Sequence, residues 1–285
     1  MYGYFVDGSY KGDLPYTDLA IERRRADSVI PGIEYWDEKR HKLYWERVKI
    51  STKTGADSIG RPIGIYDTIS CERFDRLDNR QVEEMKDEMA RELCCIFEEC
   101  EIFPGRILVA GLGNPDLTPD SLGAKTTSAV RSTMHIKDCD RKLFTSLNCA
   151  EIASVIPDVA SSSGLDAAVV IKGICDLILP DAVIAIDALA TREIKRLGCN
   201  IQISSSGISP GSGLGNCRTA LCHQTVGVPV FAIGVPTVID ARSLIHNQTL
   251  NGEPMFVSPK EIGEIVSVSA SIISEGINRA FGILY

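Results

Sequence analysis

The chain has no run of roughly 18 consecutive apolar residues, the length a membrane-spanning helix requires, so no transmembrane segment is expected. It starts MYGYFVDGSYKGD, with no basic stretch leading into an apolar one, which does not read as a secretory signal. Histidine is scarce, at four residues, and the cysteines form no C-x-x-C pair, so paired metal-ligand spacing is missing. Positive charge is not in excess either. The formal net charge of −8 argues against broad binding to nucleic acid or an anionic membrane. A familiar catalytic signature, the G-K-[ST] phosphate loop, is also lacking.

What is present is an apolar fraction of 44% in 285 residues, enough for a sizeable core and for one large α/β domain or a domain with an appendage. The ten cysteines are scattered along the chain, several in apolar settings such as LCCIF and GICDLIL. They read as reduced, mostly buried thiols of a cytosolic protein. Cys217 and Cys222, close to His223, are the pair that a catalytic role would single out; a core or surface role is the more ordinary reading.

Residues 1–45 are charged and irregular and read as an arm outside the core. WERVKIST alternates apolar and polar residues, as a half-buried strand does, and PIGIYDTIS is a possible partner. From Asn79 to Glu99 the spacing of Val82, Met85, Met89, Leu93 and Ile96 predicts an amphipathic helix. RILVAG, IASVI, AVIAI (182–186), IQIS and PVFAIGV (229–235) are strand candidates, with helices expected over Ala167–Leu179 and Ala190–Leu197. This alternation predicts a mostly parallel, doubly wound sheet. The closing stretch predicts a long helix capped by Ser258, with Pro259 in its first turn and Glu261 three residues after the cap.

Asp120 lies in GLGNPDLTPDSLG, after the strand RILVAG, and Asp187 directly follows AVIAI. In a parallel sheet the C-terminal strand ends share an edge, so the two carboxylates can meet there. Carboxylates held close cannot both ionise easily. One then activates water while the other protonates a leaving group. An Asp after a strand also commonly caps the next helix, and spacing alone leaves both readings open. A third loop, Ser204 to Arg218 (SSSGISPGSGLGNCR), adds to the case for an active edge. Its glycines let the backbone approach a ligand, with Ser205, Gly207, Gly211, Ser212 and Gly213 as candidate substrate-binding residues.

The blocks GLGNPDLTPDSLG, PDAVIAIDALATR, IQISSSGISPGSGLGN and TVGVPVFAIGVPTVIDA together closely resemble the germination protease (spore protease) family. GADSIGRPIGIYDTI and the closing ISEGINRAF match its pattern too, so the likeness runs over nearly the whole chain. The resemblance implies an α/β fold like that of hydrogenase-maturation proteases, here with a β-rich N-terminal arm. It implies an endopeptidase that degrades small acid-soluble spore proteins in the spore core, forms homotetramers and needs no cofactor. It further implies an atypical aspartic mechanism, with Asp120 in T-P-D and Asp187 in I-D-A-L-A. YTDLAIE looks like the family's processing segment. That implies a zymogen cut between Asp18 and Leu19, dividing a pro-segment (1–18) from the protease domain (19–285).

The chain departs from that pattern in places. Ile156–Ala167 (IPDVASSSGLDA) stands where the family has a Gln-Thr-Gly core, and Ser209 stands where His is common. Two other classes stay open: a metal-dependent maturation-type protease using Asp120, Asp187 and His223, and a non-proteolytic binding or regulatory relative.

Overall fold

A nine-stranded mixed sheet organises the described residues, 16–23, 30–210, 219–244 and 255–282, of the computed structural model. Residues 1–15 of the expected pro-segment, Gly211, Ser212 and Gly213 of the expected binding loop, and Cys217 lie outside them. The strands are β1 (Ile33–Arg40), β2 (Leu43–Ile50), β3 (Gly64–Ser70), β4 (Arg106–Gly111), β5 (Glu151–Val155), β6 (Ala182–Thr191), β7 (Asn200–Ser204), β8 (Val230–Asp240) and β9 (Phe256–Val257). The helices are α1 (Ala20–Arg23), α2 (Lys53–Ile59), α3 (Asn79–Glu99), α4 (Leu122–Ala129), α5 (Met134–Cys139), α6 (Arg141–Leu147), α7 (Ala160–Ser163), α8 (Ala167–Ile178), α9 (His223–Val226) and α10 (Ile262–Ala280).

The spatial order is β1-β2-β3-β7-β8-β6-β4-β5, with β9 on β8. β5, β4, β6 and β8 run parallel to one another, and β7, β3, β2 and β1 continue the sheet antiparallel. From β4 the chain moves outward to β5, then crosses back to place β6 on the other side of β4. The order therefore reverses between β4 and β6, the position where open α/β sheets hold their ligands. Helices cover both faces, as the sequence predicts. Ile107, Ile184, Ile186, Ile233, Met89, Leu93 and Ile273 form one core beneath α3 and α10. On the opposite face Leu108, Ala110, Val183 and Ala185 pack under α8.

Local chemistry sets several of these elements. The Asp78 carboxylate accepts the Gln81 N–H at 2.8 Å and the Gln81 side chain accepts the Asp78 N–H at 3.0 Å, a capping box that starts α3 at the predicted residue. The buried stripe Met85, Met89, Leu93 and Ile96 follows the predicted spacing.

Four local expectations are corrected. Residues 33–40 are an edge strand of the main sheet and not an irregular arm, because each of them pairs with β2. No helix spans 190–197. β6 runs on to Thr191, since Ala190 and Thr191 find partners in Val238 and Ile239 past a register shift, and this pairing overrides the helical preference of ALAT. α10 begins at Ile262, with Glu261 and not Ser258 at its cap. Of the nine described cysteines only Cys175 is buried, whereas Cys94, Cys95 and Cys139 are exposed. None of the described helices is long and apolar enough to cross a membrane.

Candidate active site

Asp187 sits inside β6, one residue beyond the Ile186 that pairs with Gly111 at the end of β4. Its neighbours on alternate positions, Val183 and Ala185, lie under α8, so Asp187 faces that side of the sheet beyond the helix. It is 4% exposed, and its Oδ1 accepts the Ala188 N–H at 2.9 Å. Asp120 ends the single turn Thr118–Asp120 that precedes α4. The loop after β4 folds back around it: Asn114 N–H donates to Asp120 Oδ2 at 2.7 Å. Gly113, at φ +90°, is needed for that wrap, because a Cβ there would lie 2.2 Å from the Asp120 carbonyl oxygen. Gly123 in α4 likewise lets the helix start press onto the sheet, within 2.4 Å of the Ile186 oxygen for an added Cβ.

Asp120 and Asp187 line one cavity of about 270 Å³, together with Leu117, Pro119, Leu189, Ala190, Thr237 and Phe256. Asp18 lines the same cavity. The segment Tyr16–Arg23 is seated against the C-terminal part of β6. Asp18 N–H donates to the Ala190 oxygen at 2.8 Å, and the Asp18 carboxylate accepts from Ala190 N–H at 2.9 Å and from Tyr16 Oη at 2.6 Å. Arg61 Nη2 reaches both Asp18 Oδ1, at 3.4 Å, and the Thr17 oxygen, at 3.0 Å. Leu19 is wholly buried among Val48, Ile50, Ile59, Tyr66 and Leu189. Glu22, 2% exposed, accepts the Arg192 N–H at 3.0 Å and the Thr191 hydroxyl. The segment is also the short helix start that TDLAIERR allows, because α1 begins at Ala20 and Thr17 Oγ1 accepts the Leu19 N–H.

The serine-rich loop is placed differently from the aspartates. β7 is antiparallel to β8, so its C-terminal end points away from the edge where the parallel strands end. Ser205 and Gly207 line a neighbouring cavity of about 450 Å³, which shares Asp18, Leu189, Ile208 and Ser209 with the first. Both also have structural work: Ser205 Oγ accepts the Ile65 N–H at 3.0 Å, and a Cβ on Gly207 would come within 2.0 Å of the Leu221 oxygen. His223 and Cys222 line this second cavity and not the one that holds the aspartates. Burial pushes the Cys175 thiol up to about 11, which suits a core residue and not a nucleophile. The altered block Ile156–Ala167 contributes no residue to either cavity.

Arg61 and Gln202 escape the sequence reading, though signals for both exist. Arg61 lies inside the block GADSIGRPIGIYDTI, and Gln202 is a polar residue centred in the apolar strand NIQIS.

Comparison with known proteins adds the following. The germination protease family model matches residues 16–251. A germination protease of Caldanaerobacter subterraneus subsp. tengcongensis is 33% identical across 93% of this chain and 93% of its own. The Clostridium tetani germination protease is 33% identical across 93% of this chain and 94% of its own. That of Priestia megaterium is 35% identical across 80% of this chain and 64% of its own. Among solved structures, the NiFe hydrogenase maturation protease HycI of Thermococcus kodakarensis matches 66% of this chain and 99% of its own, at 16% identity and a TM-score of 0.36.

Proposed function

Because this chain belongs to the germination protease family, we propose that it is an endopeptidase that degrades small acid-soluble spore proteins at germination through Asp120 and Asp187. It is made as a zymogen and cuts its own Asp18–Leu19 bond, freeing residues 1–18. The observation that carries the reading is the shared cavity: both candidate carboxylates and Asp18, the residue before the bond, line one space at the strand-order reversal.

In this mechanism one carboxylate takes a proton from water and the other, protonated, supplies one to the departing amine. The Asp120 side chain is held by the Asn114 amide and that of Asp187 by the Ala188 amide. Both are therefore oriented by backbone groups that do not move in the reaction. Apolar walls from Leu117, Leu189 and Phe256 limit the water that enters. The reading includes a homotetramer in the spore core and no cofactor.

The test uses intact-mass measurement on the full chain under mildly acidic activating conditions, then a purified small acid-soluble spore protein as substrate. Wild type is expected to give a chain starting at Leu19 and to degrade the spore protein. Asp120→Asn and Asp187→Asn keep the side-chain shape but cannot exchange a proton at these pH values, and each should lose at least about a hundredfold in both rates. Near-normal rates in either variant would remove that aspartate from the mechanism.

A further inference from the structure

Gln202 sits in the middle of β7 and is 7% exposed, flanked by Ile201 and Ile203 in the apolar core of the other face. A buried carboxamide needs partners for both its ends. It finds them on the two peptide groups that flank Leu19. Gln202 Oε1 accepts the Ala20 N–H at 2.8 Å, and Gln202 Nε2 donates to the Asp18 carbonyl oxygen at 3.4 Å. The residue bracketed in this way is Leu19, and the carbonyl contacted is that of the Asp18–Leu19 bond.

The sheet register adds a second observation. Gln202 pairs with Gly234, and Gly234 pairs with Asp187, so the carboxamide and the carboxylate stand in one row across β7, β8 and β6. Directly paired residues present their side chains on the same face, with strands about 4.8 Å apart, so the two Cα atoms are roughly 10 Å apart. Gly234 leaves the middle of the row open. Leu189 folds into that gap, since a Cβ on Gly234 would lie 2.5 Å from Leu189 Cγ, and Leu19 packs in the same cluster as Leu189. The row thus has an amide donor at one end, an apolar floor beneath the residue after the bond, and an acid at the other end.

We propose that Gln202 is the residue that grips the peptide to be cut and stabilises its carbonyl oxygen during hydrolysis, in this chain's own segment and in protein substrates. This rests on the self-cleavage reading above. Hydrolysis joins the oxygen of water to the Asp18 carbonyl carbon and breaks that carbon's bond to the Leu19 nitrogen. One water proton passes to the Leu19 amine, and the other stays on the new carboxyl group. In between, the carbonyl oxygen takes up the electron pair of the C=O bond. The Gln202 N–H that faces this oxygen strengthens as the charge develops, and its 3.4 Å contact shortens. The Oε1 contact to Ala20 fixes the register and does not change with the charge.

The two halves of the side chain separate experimentally. Gln202→Glu keeps the acceptor for Ala20 and, at a pH where its carboxyl is ionised, loses the donor to Asp18, whereas Gln202→Met loses both. The full chain of each is followed by intact mass for the appearance of the Leu19 terminus and by thermal melting for the fold. Hydrogen exchange of the Ala20 amide is measured in the uncleaved Asp187→Asn background. Gln202→Glu is expected to retain Ala20 protection yet cleave on the order of a hundredfold more slowly. Gln202→Met should lose both protection and cleavage while still melting cooperatively. On an added peptide with the sequence of residues 14–25, Gln202→Glu should lower kcat more than it raises KM. A wild type that never yields the Leu19 terminus overturns the self-cleavage reading, and this inference with it. A wild type that cleaves, beside a Gln202→Glu or Gln202→Met that cleaves equally fast, overturns the role of Gln202 alone.

Discussion

Asp18 is met by a crowd of positive charge and N–H donors. Arg61 touches its carboxylate and the preceding carbonyl, and Arg23 donates to that same Thr17 oxygen at 3.0 Å. Burial lowers the Arg23 pKa below its ordinary value, and the charge of Arg61 beside it lowers it further. An acidic side chain relieves this crowding, which gives a physical reason for an acid ahead of the proposed cleavage point. A charged hydrogen bond of this kind contributes about 1.5–3 kcal/mol. Arg61→Met and Asp18→Asn should therefore each slow formation of the Leu19 terminus about tenfold or more. The double variant should be little slower than either single one, because both remove one interaction. Fully additive losses in that cycle would mean that Arg61 and Asp18 do not act together.

At the scale of elements, the edge pair β1–β2 is bound to α3 by ions. Arg40 bridges Glu88 at 2.7 Å and Glu92 at 2.5 Å, while Arg47 and Lys49 converge on Glu99 at 2.5 and 2.8 Å. Burial alone would raise Glu88, but hydrogen bonds from Arg91 and Arg40 outweigh it and hold the carboxyl below its ordinary 4.5. Glu99 behaves in the same way, with burial outweighed by Lys49 and Arg47. A carboxyl with its folded pKa below its unfolded one stabilises the fold above the unfolded value, and the contribution vanishes as pH falls through the folded one. Asp67 works in the opposite sense. Burial pushes it up to about 6 despite its 2.6 Å pairing with Arg47, so its protonation near that pH favours the folded chain. The melting temperature should thus rise between pH 7 and 5, as Asp67 takes up its proton, and fall below about pH 4.5, as the Glu88 and Glu99 contributions are lost. Tryptophan fluorescence should change in step, because Arg40 and Arg47, the partners of these carboxylates, lie over the Trp45 ring at 4.5 and 5.2 Å. A steep fall already complete above pH 5 would contradict this assignment.

At the scale of the whole molecule, the N-terminal segment and the carboxylates belong to opposite ends of a folded circuit. Tyr16–Arg23 reaches β6 and β8, with Tyr16 N–H on Asp240 Oδ2 at 2.9 Å, some two hundred residues away in sequence. The chain thus holds Asp18 in the cavity lined by its own Asp120 and Asp187, so the proposed self-cleavage needs no second molecule. The half-time for appearance of the Leu19 terminus should not change when the protein is diluted tenfold. A half-time that lengthens in proportion to dilution would assign the cut to a different chain in solution.

Periodicity and composition were sufficient for α3, β4, α8 and the long α10, because a helix or buried strand is specified by the spacing of its own apolar residues. The sequence also placed two acids near apolar strands, and the row of motifs sufficed for the family. The structure puts Asp187 inside β6, not after it, and Asp120 in the turn before α4. Three features depended on contacts between distant residues, which no local pattern records. β6 runs on past Ala190 only because β8 offers partners for it. β7 is antiparallel, which sends Ser205 and Gly207 to a neighbouring cavity, because its direction is chosen by pairing with β8 and β3 and not by its own five residues. Gln202 joins the row of Asp187 only through Gly234, a residue with no side chain to announce it. The sequence by itself determined which segments fold and which acids lie near the parallel strands. The tertiary structure decided what those acids face, since register and strand direction are settled only when the sheet closes around its core.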